Sequence, residues 1–337
     1  MTITTRIRFT GTFIDPGQEI AVALVCIGKF LGFSLGEEDI NSLKKAFPQH
    51  DFILGSEADT CALERADIAF GFFKHETISA MKSLEWLHLP SAGADHLLAA
   101  EPFKSGRSKL TNSNIYGTPI SEHILAMFLS MKCRLHMYRD MQREQVWSPV
   151  NSDKEFSGST VGIIGFGDIG RTLAVKCHAL GARVLAVKNT PAETPGYVEA
   201  LYTSERIEEM LPKCDFLALC LPETERTAGI LSRERIALLK KGVYIVNVGR
   251  GSAIDTLALI EALRSGHVAA AGLDVTEPEP LPPGHELWKL PNCILSQHTS
   301  GRSPLLKERV LKAFSDNLRK YTDTGELDNV VDTEKGY

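Results

Sequence analysis

With 337 residues the chain is too long for one ordinary core, so two domains are expected. A hydrophobic share of 43% beside 23% charged residues fits a soluble globular protein, and a net charge of −5 without a basic block argues against nucleic acid as a partner. Seven cysteines are scattered with no C-x-x-C pair, mostly among apolar neighbours. That pattern points to buried thiols in a reducing compartment, with no disulfide framework and no metal. The longest apolar run near the start, Ile20 to Ile27, is far too short to span a membrane. The start also lacks the charged, apolar and small-residue sections of a secretory signal, so a cytoplasmic protein without a membrane partner is expected.

In chain order, residues 1 to about 110 alternate short apolar runs with amphipathic stretches. Arg6–Phe9, Phe52–Leu54, Ile68–Phe73 and Trp86–Leu89 read as strands, and Glu19–Leu31 and Ile78–Lys82 as helices. This alternation predicts a parallel sheet flanked by helices. Thr111–Asn114 is a polar segment suited to a crossover between domains. Pro119 opens a long helical pattern through Ile120, Ile124, Leu125, Phe128, Met131 and Leu135. A polar linker, Arg139–Ser159, follows. From Thr160 the alternation becomes regular. Strands are predicted at Val161–Ile164, Val184–Val187, Phe216–Cys220, Val243–Asn247, Val268–Leu273 and Cys293–Ser296. Helices are predicted at Arg171–Leu180, Arg206–Leu211, Ser232–Leu239 and Thr256–Ser265, the last with Asp255 as N-cap. A final helix, Leu305–Tyr321, has no strand after it. Packing back onto the first domain is its natural use, which would make that domain discontinuous.

Gly165, Gly167 and Gly170 form a G-x-G-x-x-G pattern between a strand and a helix, the context in which it binds a dinucleotide rather than merely turning the chain. Gly165 permits the tight turn, Gly167 lets a pyrophosphate approach, and Gly170 allows close helix–strand packing. The helix N-terminus at Asp168 and Ile169 favours the phosphate charge. The next strand ends Lys188-Asn189-Thr190, with no acid for the ribose of NAD. Lys188 would attract the 2′-phosphate of NADP, and Asn189 and Thr190 could donate hydrogen bonds; a solvated lysine at a loop start is the plain alternative. NADP(H) is therefore the expected cofactor, with NAD(H) as second option.

Three further stretches sit where ligands bind in open α/β sheets, at the carboxyl ends of strands. Ser91-Ala92-Gly93-Ala94-Asp95 could turn backbone N–H groups toward an anion, or form a simple turn. Arg250, between two glycines at a strand end, suits bidentate capture of a carboxylate, although a lone arginine there would ordinarily serve a salt bridge. A carboxylate in Asp274–Pro280 and His298 follow adjacent strands. Paired, they would favour an imidazolium able to protonate a carbonyl oxygen; alone, His298 reads as a satisfied turn histidine.

Together these motifs resemble the D-isomer-specific 2-hydroxyacid dehydrogenases. The resemblance rests on Ser91–Asp95, Gly165–Gly170, Cys220-Leu221-Pro222-Glu223-Thr224, Asn247–Gly251, Asp274–Pro280 and His298, in that order along nearly the whole chain. It implies two doubly wound α/β domains with parallel sheets, a Rossmann cofactor domain (residues 112–301) inserted in a flavodoxin-like substrate domain (1–111), and a C-terminal helix (302–337) returning to the latter. It also implies a catalytic set of Arg250, Glu279 and His298. In such enzymes the arginine holds the substrate carboxylate and carbonyl, the histidine protonates the carbonyl oxygen as hydride arrives, and the glutamate orients the histidine. Glu279 rather than Glu277 matches the family position. The backbone at Ala92 and Gly93 would take the substrate carboxylate. Leu221, Pro222, Thr227, Val248, Gly249, Arg250, Asp274 and His298 would line the cofactor cleft, with Asp274 at the nicotinamide carboxamide.

Two departures stand out: Lys188 replaces the aspartate usual in NAD-using members, and Gln297 replaces a proline before the histidine. Glu122-His123 reads as structural or hinge-related, and Trp147 lies in a linker that helps dimer contacts in relatives. The expected activity is reversible reduction of a small 2-oxo acid, glyoxylate or hydroxypyruvate foremost, to the D-2-hydroxy acid. A homodimer is expected, with the Ile120–Leu135 helix as candidate interface. The alternative is a cofactor-sensing binding protein with little turnover, like the corepressors that share the fold.

Overall fold

The protein is described by a computed structural model at residues 23–30, 32–54, 60–151, 154–190 and 192–336. The strand expected at Arg6–Phe9 and the start of the Glu19–Leu31 helix lie outside these residues. The elements run β1 (Leu24–Ile27), α1 (Glu37–Ala46), β2 (Asp51–Leu54), α2 (Thr60–Glu64), β3 (Ile68–Phe70), α3 (His75–Ala80), β4 (Trp86–His88), α4 (Glu101–Lys104) and β5 (Lys109–Thr111). Then come α5 (Gly117–Lys132), α6 (Leu135–Arg143), β6 (Thr160–Ile164), α7 (Asp168–Ala179), β7 (Arg183–Val187), β8 (Ala200–Tyr202), α8 (Ile207–Met210) and β9 (Phe216–Leu219). The chain ends with α9 (Arg233–Leu238), β10 (Val243–Asn247), α10 (Thr256–Ser265), β11 (Val268–Leu273), β12 (Cys293–Leu295) and α11 (Leu306–Thr324).

These elements form two units. The first takes the chain up to Ser91, then Ala99–Ser113 and Lys307–Val331. Its strands are all parallel in the order β2-β1-β3-β4-β5, the flavodoxin-like winding. The second takes Ala92–Leu98, Asn114–Leu306 and the chain from Asp332. Its seven-stranded parallel sheet runs β12-β11-β10-β9-β6-β7-β8, which is the Rossmann order with one added edge strand. The return of α11 to the first unit makes that unit discontinuous in sequence.

In the second unit, side chains alternate between the two faces of the sheet, as the period of two dictates. Val161, Ile163, Phe216, Ala218, Tyr244 and Val246 face α5 and α7; Ile164, Leu217, Leu219, Ile245 and Leu273 face α8, α9 and α10. In the first unit α11 docks through Phe314, whose ring stacks on Phe70 with centroids 4.0 Å apart and lies 5.6 Å from Trp86.

Several elements differ from expectation. Leu24–Ile27 is a strand, not helix, because it lies between β2 and β3 and is buried. A short apolar run fits either state, and pairing decided. Lys109–Thr111 adds a strand that was not expected, ending where the Thr111–Asn114 crossover begins, and β8 is a further edge strand. The helical pattern from Pro119 to Leu135 breaks at Arg134, which takes a left-handed φ of 59°, and a separate helix α6 occupies part of the presumed linker. Asp255 does cap α10, accepting from Ala258 N–H at 3.0 Å.

Candidate active site

The glycine-rich turn joins β6 to α7. Gly165 has φ 101°, and a side chain there would run into the Cys220 carbonyl at the end of the neighbouring strand β9. Nothing lies within 4 Å of the position a side chain would take at Gly167. No side chain caps the α7 N-terminus, so its first-turn N–H groups remain directed along the helix axis. The backbone therefore fits a pyrophosphate. The Asp168 carboxylate points elsewhere, accepting from Gly117 N–H at 2.8 Å and so capping α5. Lys188 follows β7, with its backbone N–H bonded to the Tyr202 carbonyl at 2.9 Å; its ammonium forms no ion pair among the described residues. Asn189 beside it accepts from Ser204 Oγ at 3.4 Å. Pro222 and Thr227 are joined in one turn, Thr227 Oγ1 donating to the Pro222 carbonyl at 2.7 Å.

Arg250 lies just past β10. The buried Asn247 side chain stitches its turn, donating to the Arg250 carbonyl at 2.8 Å and accepting from Gly249 N–H at 3.0 Å. Arg250 Nη2 meets Asp95 Oδ1 at 2.5 Å, Nη1 donates to the Gly249 carbonyl at 3.0 Å, and Nε lies 3.8 Å from Glu223 Oε2. Any side chain at Gly93 would collide with the guanidinium, so the Ala92-Gly93 backbone lies against Arg250. Asp95, His96, Leu98, Glu223, Thr224, Glu225 and Ala228 line a cavity of about 420 Å³ beside it. Asp95 had no role in the sequence reading. Its place at the end of the Ser91–Asp95 motif was the signal, but only the fold shows its partner.

Glu279 and His298 are brought together: Nδ1 of the histidine faces Glu279 Oε1 at 2.6 Å, while Glu279 Oε2 accepts from Thr276 N–H at 3.3 Å. An ionised Glu279 accepts a hydrogen bond from Nδ1–H, which leaves Nε2 as the ring atom available for chemistry. Their elements are neighbours, since His298 follows β12, Glu279 follows β11 and Arg250 follows β10 in adjacent sheet positions. Gln297 and His298 both take left-handed backbone, φ 56° and 54°, which costs roughly 1–2 kcal/mol for each non-glycine residue. Proline, fixed near −65°, could not adopt this conformation at position 297.

The loop is held by Asp274, which is 2% exposed. Its carboxylate accepts from Ser296 Oγ at 2.6 Å, Thr299 N–H at 2.8 Å and Ser300 N–H at 3.0 Å, and its carbonyl accepts from His298 N–H at 2.6 Å. Burial pushes this carboxyl up, but the donors outweigh it and hold it below the ordinary carboxylate range. The Asp274 carboxylate thus ties down the His298 loop.

A glycine-rich βα turn in a Rossmann sheet, with an arginine and a glutamate–histidine pair on neighbouring strand ends, defines a dinucleotide-dependent oxidoreductase. Residues 125–300 match the NAD-binding domain of the D-isomer-specific 2-hydroxyacid dehydrogenases. The hydroxypyruvate reductase of Thermotoga maritima is 34% identical over 303 residues, covering 88% of this chain and 92% of that protein. Among solved structures, a D-isomer-specific 2-hydroxyacid dehydrogenase from Xanthobacter autotrophicus in complex with NADPH and MES superposes with a TM-score of 0.81 at 27% identity, covering 94% of this chain and all of that one (100%). The NADPH-dependent glyoxylate/hydroxypyruvate reductase of Sinorhizobium meliloti, solved with NADP and sulfate, gives 0.79 at 26% identity, covering 94% and 100%. The chain belongs to the D-isomer-specific 2-hydroxyacid dehydrogenase family and is an NAD(P)-dependent oxidoreductase of 2-oxo and 2-hydroxy acids.

Proposed function

We propose that this enzyme uses NADPH to reduce a small 2-oxo acid, with glyoxylate and hydroxypyruvate foremost, to the D-2-hydroxy acid. The observation that carries the reading is the 2.6 Å Glu279–His298 pair beside Arg250 on adjoining strand ends. The Arg250 guanidinium and the Ala92-Gly93 backbone bind the substrate carboxylate, and Arg250 also polarises the carbonyl. A bound reduced nicotinamide would supply the hydride that C2 receives. His298 gives the Nε2 proton to the carbonyl oxygen, and Glu279 stabilises the imidazolium before transfer. The N–H groups at Gly167, Asp168, Ile169 and Gly170 would hold the pyrophosphate, with Leu221, Pro222, Thr227, Val248 and Gly249 along the cofactor. Lys188, Asn189 and Thr190 would take the 2′-phosphate. NADPH and NADP in the Xanthobacter and Sinorhizobium structures support this cofactor.

A homodimer goes with this reading, but its interface moves from the sequence expectation. Ile120, Ile124, Met127, Phe128 and Met131 of α5 are buried in the core of their own unit. Beyond them, α6 buries no side chain, Leu135 and Val146 are exposed, and Trp147 is 100% exposed. This apolar stretch is the stronger candidate for a second copy. Cys26, Cys177 and Cys214 are free and buried, which fits a reducing compartment, and we place the enzyme in the cytoplasm.

The purified protein, given NADPH or NADH with a panel of 2-oxo acids, should consume reduced nicotinamide fastest with NADPH and a two- or three-carbon oxo acid. Absence of turnover with every acid and both cofactors, in either direction, would sink the reading and favour the cofactor-sensing alternative.

A further inference from the structure

We propose that His123, acting through Ser296 and Asp274, is a positioning residue that fixes the loop bearing His298. The inference rests on His298 being the proton donor. His123 projects from α5, and its Nε2 lies 2.9 Å from Ser296 Oγ. Ser296 Oγ in turn donates to Asp274 Oδ1 at 2.6 Å. A hydroxyl has one proton. Ser296 spends it on the acceptor-only carboxylate, so it must accept from His123, which fixes the His123 tautomer with its proton on Nε2. The imidazole is 4.0 Å from Asp274 Oδ1, too long for a direct hydrogen bond, so the serine hydroxyl is the link.

Asp274 then passes this constraint to the loop. Its carboxylate gathers the Thr299 and Ser300 N–H groups and its carbonyl takes His298 N–H, the bonds that close the left-handed pair Gln297-His298. Thr299 Oγ1 adds a bond to the Ser296 carbonyl at 2.5 Å. With Glu279 setting the ring of His298 and this relay setting its backbone, the imidazole is held from both ends. Rigid support of this kind governs rate because small misplacement of a reacting group is costly. Ser296 serves the same relay as a positioning residue.

Two readouts test the relay. Deuterium exchange of the intact protein reports the Thr299 and Ser300 amides without needing turnover. Steady-state reduction of glyoxylate with NADPH, together with NADPH affinity, separates kcat from binding. His123→Ala and Ser296→Ala should both speed exchange in residues 296–300 and lower kcat about tenfold or more, with NADPH affinity unchanged. Ser296→Thr, which keeps the hydroxyl, should restore both. Unchanged exchange and kcat in His123→Ala would overturn the relay, as would a Ser296→Thr variant as impaired as Ser296→Ala. A wild type that turns over no 2-oxo acid would defeat the functional reading while the exchange arm still decides the relay.

Discussion

At the scale of single residues, cofactor choice and loop geometry turn on Lys188 and Gln297. Lys188 offers a cation at the end of β7 that forms no ion pair among the described residues, where a carboxylate would repel a 2′-phosphate. Lys188→Asp should move the NADPH-to-NADH ratio of kcat/KM toward NADH by tenfold or so, the worth of about one charge contact. A ratio that stays put would mean another group reads the phosphate. Gln297 occupies a backbone conformation closed to proline. Gln297→Pro, although it restores the usual residue of the family, should therefore displace the His298 loop and lower kcat. A variant as fast as wild type would show that the loop can take the family geometry at no cost. Arg250, Glu279 and His298 were legible in the sequence because each sits in a short motif with fixed spacing. Their supports were not. Asp95, Ser296 and His123 are separated from the residues they touch by long stretches of chain, and nothing in local pattern predicts such contacts.

At the scale of elements, parallel strands bring these supports together. β10, β11 and β12 place three loops side by side, so that residues far apart in sequence become neighbours. Regular strands of the second unit were readable because their apolar runs are bounded by turns and followed by amphipathic helices. β1 was missed because it lies in a longer apolar run that also fits a helix, and β5 and β8 because each is a three-residue edge strand; pairing makes them strands. In the first unit, β4 and β5 are tied by His88. Trp86 Nε1 donates to Thr111 Oγ1 at 2.7 Å, which leaves that hydroxyl to donate to His88 Nδ1 at 2.7 Å; His88 Nε2 donates to Ser113 Oγ at 3.1 Å. A neutral ring satisfies every partner. Burial pushes its pKa down from 6.5 to about 3. Above 6.5 both folded and unfolded chains carry His88 neutral and its contribution is complete; below it only the unfolded chain takes the proton. Stability should therefore fall progressively between pH 6.5 and about 3. Urea melts at pH 7 and pH 5 should show a smaller difference for His88→Gln than for wild type, and an equal difference would remove His88 as a source of the slope.

At the scale of the molecule, a two-unit chain with both sheets doubly wound was foreseeable from the length and the repeated βα alternation, as was the return of the last helix to the first unit. The separate helix α6 was not, since in the sequence the helical pattern ends at Leu135 and Arg139 onward reads as a polar linker; the break at Arg134 starts a new helix that leaves Leu135 and Tyr138 exposed. Sizing with light scattering should give a dimer, and Trp147→Glu with Leu135→Glu should shift it toward monomer; a wild-type monomer would contradict the assignment. The account as a whole stands on proton transfer from His298. The most direct measurement compares kcat for 2-oxo acid reduction by wild type and His298→Ala, with NADPH binding followed in parallel. Loss of a general acid predicts a fall of roughly 10²-fold or more with NADPH affinity retained; an undiminished kcat would take His298 out of the mechanism.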